Sequence, residues 1–304
     1  MERAAPARVP FYQRARWIEA VMGWLFVAPV VVGTLLLNIL PALPNLYFSL
    51  TEWNGLNPPI WVGLRNYVEL TQNYDFLNSL RVTAIYAAGS IPLTMITGLA
   101  LALLVNRVVP GVSFFRAIYY TPHIASIIAI VIVFQYLLAP RFGLINQVLW
   151  NVFGIQGPNW LGTDVTAMAS IIMVSVYTGA GYQMVLYLAG LQNIPAHLYE
   201  AAIIDGANPW QRFWHITLPL LTPTIFFILI LSVIGSFGVF ALVYAMTGGG
   251  PGRATEVIFF LLYEQAFQRL RFGFAAAMAV FMFVIVGALT WLNWWLGKRW
   301  VFYG

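Results

Sequence analysis

Glu200, Ala201 and Ala202 head the one long polar insertion in a very apolar chain, EAAIIDGANPWQRFWHITLP, which runs to Pro219. A carboxylate beside two alanines suits docking. Small side chains let a foreign surface approach the backbone, while the charge stays available for a cation on that surface. Catalytic groups are thin elsewhere. The histidines are His123, His197 and His215, no HExxH spacing ties them to a glutamate, and cysteine is absent, so neither a metal site nor a thiol nucleophile is expected. The glycine-rich TGGGPGRAT at 247–255 invites a phosphate-cradle reading. No Lys-Ser/Thr follows it, and the chain's only lysine is Lys298, so it reads as a tight turn rather than a nucleotide site.

The elements that must position Glu200 are written in the residues around it. Asn193 and Pro195 open a short helix, since proline fits a first helical turn where no amide proton is needed. Gly206 closes it, because glycine tolerates the left-handed conformation just past a helix end. Asn208 is placed as an N-cap, with Pro209 at the first helical position and Gln211 spaced to complete a capping box. Two short helices joined at a glycine are expected within a loop spanning 191–219.

The frame around that loop is a membrane. Charged residues make up 8% of the chain, against roughly 25% in a soluble domain. Runs of about 20 apolar residues, the length that crosses a ~30 Å core, occur near 21–40, 84–105, 114–138, 166–188, 220–246 and 274–296. The expected fold is therefore an all-α membrane protein with six transmembrane helices. Residues 1–18 would form a cytoplasmic segment, 19–297 the membrane domain and 298–304 a cytoplasmic tail. The first apolar run is too long for a signal-peptide core and is read as a retained span. With the N-terminus inside, Arg3, Arg8, Arg14, Arg16, Arg107, Arg116, Arg212, Lys298 and Arg299 fall on the cytoplasmic flanks. Arg65, Arg81, Arg141, Arg253, Arg269 and Arg271 fall outside. That bias puts the 191–219 loop in the cytoplasm. The net charge of +5 is scattered over loop ends, which suits anionic headgroups and does not form a nucleic-acid stripe.

The pattern Glu200-Ala201-Ala202, three residues, Gly206, nine residues, Ile216-x-Leu218-Pro219 resembles the EAA loop of the membrane subunits of binding-protein-dependent ABC importers, without a gap. Further likeness to the sugar-uptake branch lies in Trp61-Val62-Gly63-Leu64 with Asn66-Tyr67, in Phe114-Phe115-Arg116, and in the TGGGP stretch followed by Tyr263-Glu264, Ala266-Phe267 and Gly273. The resemblance implies a type I-like importer fold with a cytoplasmic helix-turn-helix coupling loop. It implies that Glu200, Ala201, Ala202, Asp205, Gly206, Ile216, Leu218 and Pro219 engage an ATPase dimer. ATP and Mg would be bound there and not by this chain. A second permease, in a heterodimer, and an extracytoplasmic solute-binding protein complete the implied partners, in the cytoplasmic membrane of a prokaryote with both termini inside.

No Asp, Glu, Lys or Arg occupies the middle of a span, so proton coupling lacks its chemistry and an ion-coupled carrier is disfavoured. A lipid-acting enzyme is disfavoured too, because the histidines have no carboxylate companions. For the solute, Ser175, Thr178, Gly179 and Tyr182 share one helical face beside Gln183, a stripe that suits helix packing and a polar solute equally. Ser232, Gly235 and Ser236, with Phe237, Phe240 and Tyr244, offer hydroxyls and aromatics on the helix after the loop. The resemblance gives weight to Ser175, Thr178, Gly179, Tyr182, Phe237 and Gly238 as substrate contacts. A neutral sugar or oligosaccharide is favoured over glycerol phosphate or another small polar solute, since an anion calls for a cation along its path.

Overall fold

The computed structural model describes residues 11–106, 110–298, 300 and 301, with side chains from Trp17 onward. Arg3, Arg8, Arg107 and Arg299, and the side chains of Arg14 and Arg16, thus lie outside the described residues, as does most of the expected tail. The chain opens with α1 (Phe11–Thr34), a π-helical turn at Leu35–Ile39 and α2 (Ala42–Phe48). A two-residue hairpin follows, β1 (Thr51–Glu52) antiparallel to β2 (Ile60–Trp61), with Thr51 opposite Trp61. Next come α3 (Arg65–Gln72) and α4 (Tyr74–Val105). The Asn73 side chain caps α4 by accepting from the Phe76 amide at 3.0 Å. At 32 residues, α4 is about 48 Å long and so overshoots the hydrocarbon core.

α5 (Val112–Ile124) and α6 (Ile127–Leu137) occupy the third apolar run, but they meet at 97°. The single straight span expected over 114–138 is instead a bent pair. Pro122 cannot donate to the ladder, and Ala125 takes an extended conformation (ψ 153°), which ends the first helix there. After α7 (Leu144–Phe153) comes α8 (Asp164–Gln192), then α9 (Ala196–Ile204), α10 (Pro209–Arg212) and α11 (Leu218–Phe237). The fifth apolar run was expected to continue to 246. It stops at Phe237, and α12 (Ala241–Met246) starts afresh beyond Gly238. α13 (Ile258–Tyr263), a π-helical turn at Glu264–Gln268 and α14 (Phe272–Gly297) complete the order. Among the described residues, five helices are long and apolar enough to cross a membrane, and six spans result if the bent pair is one.

α8 is the pivot of the packing. A Cβ on Gly181 would lie 2.0 Å from the Tyr119 carbonyl of α5, and one on Gly190 would lie 2.4 Å from Thr224 Oγ1 of α11. Helix association in lipid depends on such close backbone approach, because lipid tails are as apolar as the side chains they replace. One buried cluster joins Tyr86, Ile171 and Val174 to Val243 and Met246; a second joins Ala102, Met184, Tyr187 and Leu191 to Leu221 and Ile228. A third, around Phe76, Leu261 and Met278, ties α4 to α13 and α14. The first span has no buried residue in its apolar window and meets the rest of the bundle at its end, where α2 packs on α14.

Candidate functional site

The Glu200–Pro219 loop folds largely as its residues dictate. α9 begins after Pro195, which sits in extended conformation at its N-cap, and ends at Asp205 and Gly206 (φ +80°). The capping box is complete: the Asn208 side chain accepts from the Gln211 amide at 2.9 Å, and Gln211 Oε1 accepts from the Asn208 amide at 2.8 Å. One feature differs from expectation. The second short helix is not separate, since α10 continues through a π-helical turn at Phe213–Thr217 into α11, giving one 29-residue helix from Pro209 to Phe237. A force on Pro209 is therefore delivered straight to a membrane span.

The loop is fastened at its base and bare at its tip. The hydroxyls of Tyr199 and Thr217 share a 2.9 Å hydrogen bond that closes α9 onto the start of that long helix. Ile216 packs beside Leu191, Ile194 and Leu221, while Leu218 and Pro219 are half-buried. At the tip, Ile204 is 86% and Trp210 68% exposed, with Ile203 and Trp214 also uncovered. Glu200, Ala201 and Asp205 are exposed, Ala202 is half-buried, and no ion pair to Glu200 or Asp205 occurs among the described residues. An apolar patch rimmed by carboxylates is the composition that a protein-docking surface calls for.

Of the residues singled out on α8, Ser175, Thr178, Gly179 and Tyr182 are half-buried and Gln183 is buried. Ser175 Oγ lies 2.9 Å from the Tyr86 hydroxyl of α4, and Thr178 Oγ1 donates to the Val174 carbonyl of its own helix at 3.0 Å. Gly179 faces Thr94, and Tyr182 stacks on His123 at 4.7 Å with an 18° interplanar angle. The stripe thus meets two neighbouring helices, and His123 is held by ring contact. Phe237 packs against the third cluster, away from these partners, and Gly238 is exposed at the end of α11. Gln183 Nε2 donates to Ser232 Oγ at 3.0 Å and links α8 to α11, leaving its buried Oε1 without a partner. Sequence reasoning had not singled out Tyr86, Tyr199 or Thr217. Tyr199 and Thr217 are 18 residues apart, and only the turn of the chain at Gly206 brings them together.

The family described as "Binding-protein-dependent transport system inner membrane component" matches residues 90–301. The trehalose/maltose transport system permease protein MalF of Thermococcus litoralis is 35% identical over 278 residues, covering 91% of this chain and 94% of its own. The sn-glycerol-3-phosphate transport system permease protein UgpA of Agrobacterium fabrum is 33% identical over 287 residues, covering 93% and 97%. Among solved structures, a bacterial alginate ABC transporter in complex with its alginate pentasaccharide-bound periplasmic protein matches with a TM-score of 0.80 at 24% identity, over 93% of this chain and 97% of that one. The fold, the complete docking loop and these similarities agree: the chain belongs to the inner membrane components of binding-protein-dependent transport systems, and it is a multi-pass permease subunit of an ABC importer and not an enzyme.

Proposed function

We propose that this subunit forms half of the translocation path for a neutral sugar or oligosaccharide, handed over by an extracytoplasmic solute-binding protein and driven by an ATPase dimer that grips the Glu200–Pro219 loop. The observation that carries the coupling role is the bare tip of that loop, with Ile204, Trp210 and an unpaired Glu200 exposed on a structure continuous with α11. Glu200 pairs with a basic residue of the ATPase, Ala201 and Ala202 permit close approach, and Asp205 and Gly206 shape the turn. When ATP and Mg close the ATPase pair, the loop moves as a lever and the spans rock between inward and outward access. A second, different permease completes the path, the loop faces the cytoplasm, and the chain termini lie on the same side.

The solute reading rests on charge. Among the described side chains, the charged residues within the spans, Glu19, Asp75, Arg81, Arg116, Asp164 and Arg212, cluster near helix ends, so a phosphorylated solute would meet no cation at mid-membrane. Ser175, Thr178, Gly179, Tyr182, Phe237 and Gly238 are the contacts assigned to the path. The relative named for sn-glycerol 3-phosphate supports a second reading, in which that anion is the cargo. Reconstitution decides between them. Vesicles holding the two permeases and the ATPase, supplied with solute-binding protein and ATP, should accumulate a neutral disaccharide and not sn-glycerol 3-phosphate. Uphill accumulation by this purified chain alone would overturn the coupling role.

A further inference from the structure

At the end of the bundle opposite Glu200, a cavity of about 590 Å³ lies beneath the turn between α12 and α13, lined in part by Tyr244, Arg253, Glu256, Phe260, Glu264 and Gln268. Its size falls within the ~300–1,000 Å³ of small-molecule sites. The turn above it is built to hold its shape. Thr255 Oγ1 donates to the Gly250 carbonyl at 2.7 Å and lies 2.8 Å from Thr247 Oγ1. Gly249 takes φ +83°, and a Cβ built there would lie 3.0 Å from Cε1 of the Phe260 ring, a position no other residue fills without strain.

Two unlike surfaces meet in this cavity. One is aromatic: the Tyr244 ring stands 5.3 Å from Phe240, 5.6 Å from Tyr263 and 6.2 Å from Phe260, yet it remains 48% exposed. The other is polar and short of partners. The Glu256 side chain is 2% exposed, but neither carboxylate oxygen has a hydrogen-bond partner. Arg253 approaches Glu256 only to 3.5 Å and also pairs with Asp75. Glu264 is near enough to share a proton with Glu256, which would fill one of about four lone-pair sites. Buried acceptors left open in this way call for donors. A half-open ring beside them calls for an apolar C–H face. A neutral sugar presents both: hydroxyls on its edge and C–H groups on its face. An anionic solute would meet two carboxylates against one arginine already paired with Asp75, and a purely apolar one would leave Glu256 unfilled.

We propose that this cavity is an outer receiving subsite for one ring of a neutral sugar, with Tyr244 covering its C–H face and Glu256, Glu264 and Gln268 accepting its hydroxyl protons. The proposal rests on the neutral-sugar reading and adds a residence point separate from the α8 stripe. The complete importer, reconstituted with its ATPase and solute-binding protein, is assayed for uptake of labelled maltose, trehalose and sn-glycerol 3-phosphate. Tyr244→Ala should raise the KM for the transported disaccharide about three- to tenfold, the range of one lost ring contact, with kcat little changed. Tyr244→Trp should restore it. The chain has no cysteine, so Gln268→Cys supplies a single thiol on this subunit, whose maleimide labelling should slow with the disaccharide present, while Glu52→Cys on the exposed hairpin labels unchanged. That labelling decides the matter if Tyr244→Ala fails to fold. A wild-type importer that takes up neither disaccharide ends the neutral-sugar reading and the subsite with it. Uptake with an unchanged KM in Tyr244→Ala, or with no protection at residue 268, overturns the subsite alone.

Discussion

The two ends of the bundle use their charges in opposite ways. At the end carrying the hairpin and α13, the charged groups other than buried Glu256 are largely spent on one another: Arg271 donates to both oxygens of Glu69 at 2.6 and 2.8 Å, Arg269 to Glu264 at 2.7 Å, and Arg253 pairs with Asp75. The Thr83 hydroxyl of α4 also accepts from the Ile258 amide at 2.9 Å, locking α13 to a span. At the other end, Glu200 and Asp205 have no such pairings among the described residues, and large apolar side chains stand in the open. The difference separates an end whose surface charges pair within the chain from one whose surface charges and apolar side chains stand uncovered. A docking element needs a firm base and an unsatisfied tip, and the Tyr199–Thr217 bond supplies the base.

If that contrast holds, substitutions at the two ends separate coupling from stability. The largest effect is expected from Glu200→Ala. Truncating one partner of a buried interfacial charge pair costs about 2–5 kcal/mol, so uptake in vesicles should fall by about 30-fold or more. ATP hydrolysis continues uncoupled, and the thermal midpoint of the isolated subunit stays put. Unchanged uptake would break the comparison at its centre.

Arg253→Ala should do the reverse. It strips a counter-ion from buried Glu256 and from Asp75, at about 1–2 kcal/mol once the partial exposure of the arginine is allowed for. The subunit should melt earlier in detergent, with the ratio of hydrolysis to uptake preserved. A smaller effect is expected from Tyr199→Phe, which removes one hydrogen bond worth about 1 kcal/mol. Transport should drop severalfold with little change in melting, because only the fastening of the lever is loosened. Equal losses of both would place Tyr199 in the core and not in the lever.

The smallest effect concerns pH. Burial, opposed in part by Arg253, pushes the Glu256 carboxyl up to about 7 from the ordinary 4.5. Between those values the folded chain holds a proton that the unfolded chain has released. The contribution of this group to stability is therefore full below 4.5 and declines as pH rises toward about 7. Melting measured from about pH 5 to about pH 8 should show that decline in the wild type, and Glu256→Gln should flatten it. A slope unchanged by the substitution would assign it to other groups.

Much of this was readable in advance, where local chemistry is sufficient. Pro195, Gly206, Asn208, Pro209 and Gln211 fix backbone conformations through contacts only a few residues long, so the docking loop appears almost as expected. The apolar runs announced the spans for a similar reason, since transfer into lipid depends on composition summed over about 20 residues. Breaks within those runs were less visible. Pro122 and Gly238 each looked compatible with a continuing helix, and whether a proline or glycine bends or ends one depends on neighbours that re-satisfy the backbone.

By itself, then, the sequence determined that this is a membrane-spanning chain with a capped helix-turn-helix loop beginning at Glu200, because hydropathy and helix capping are short-range properties. Only the tertiary structure decided that α10 runs unbroken into α11, that Tyr199 clips to Thr217, and that Tyr244 and Glu256 line one cavity. Those facts depend on which helices touch, and that is settled by close packing around the small residues of α8, over distances no sequence spacing records.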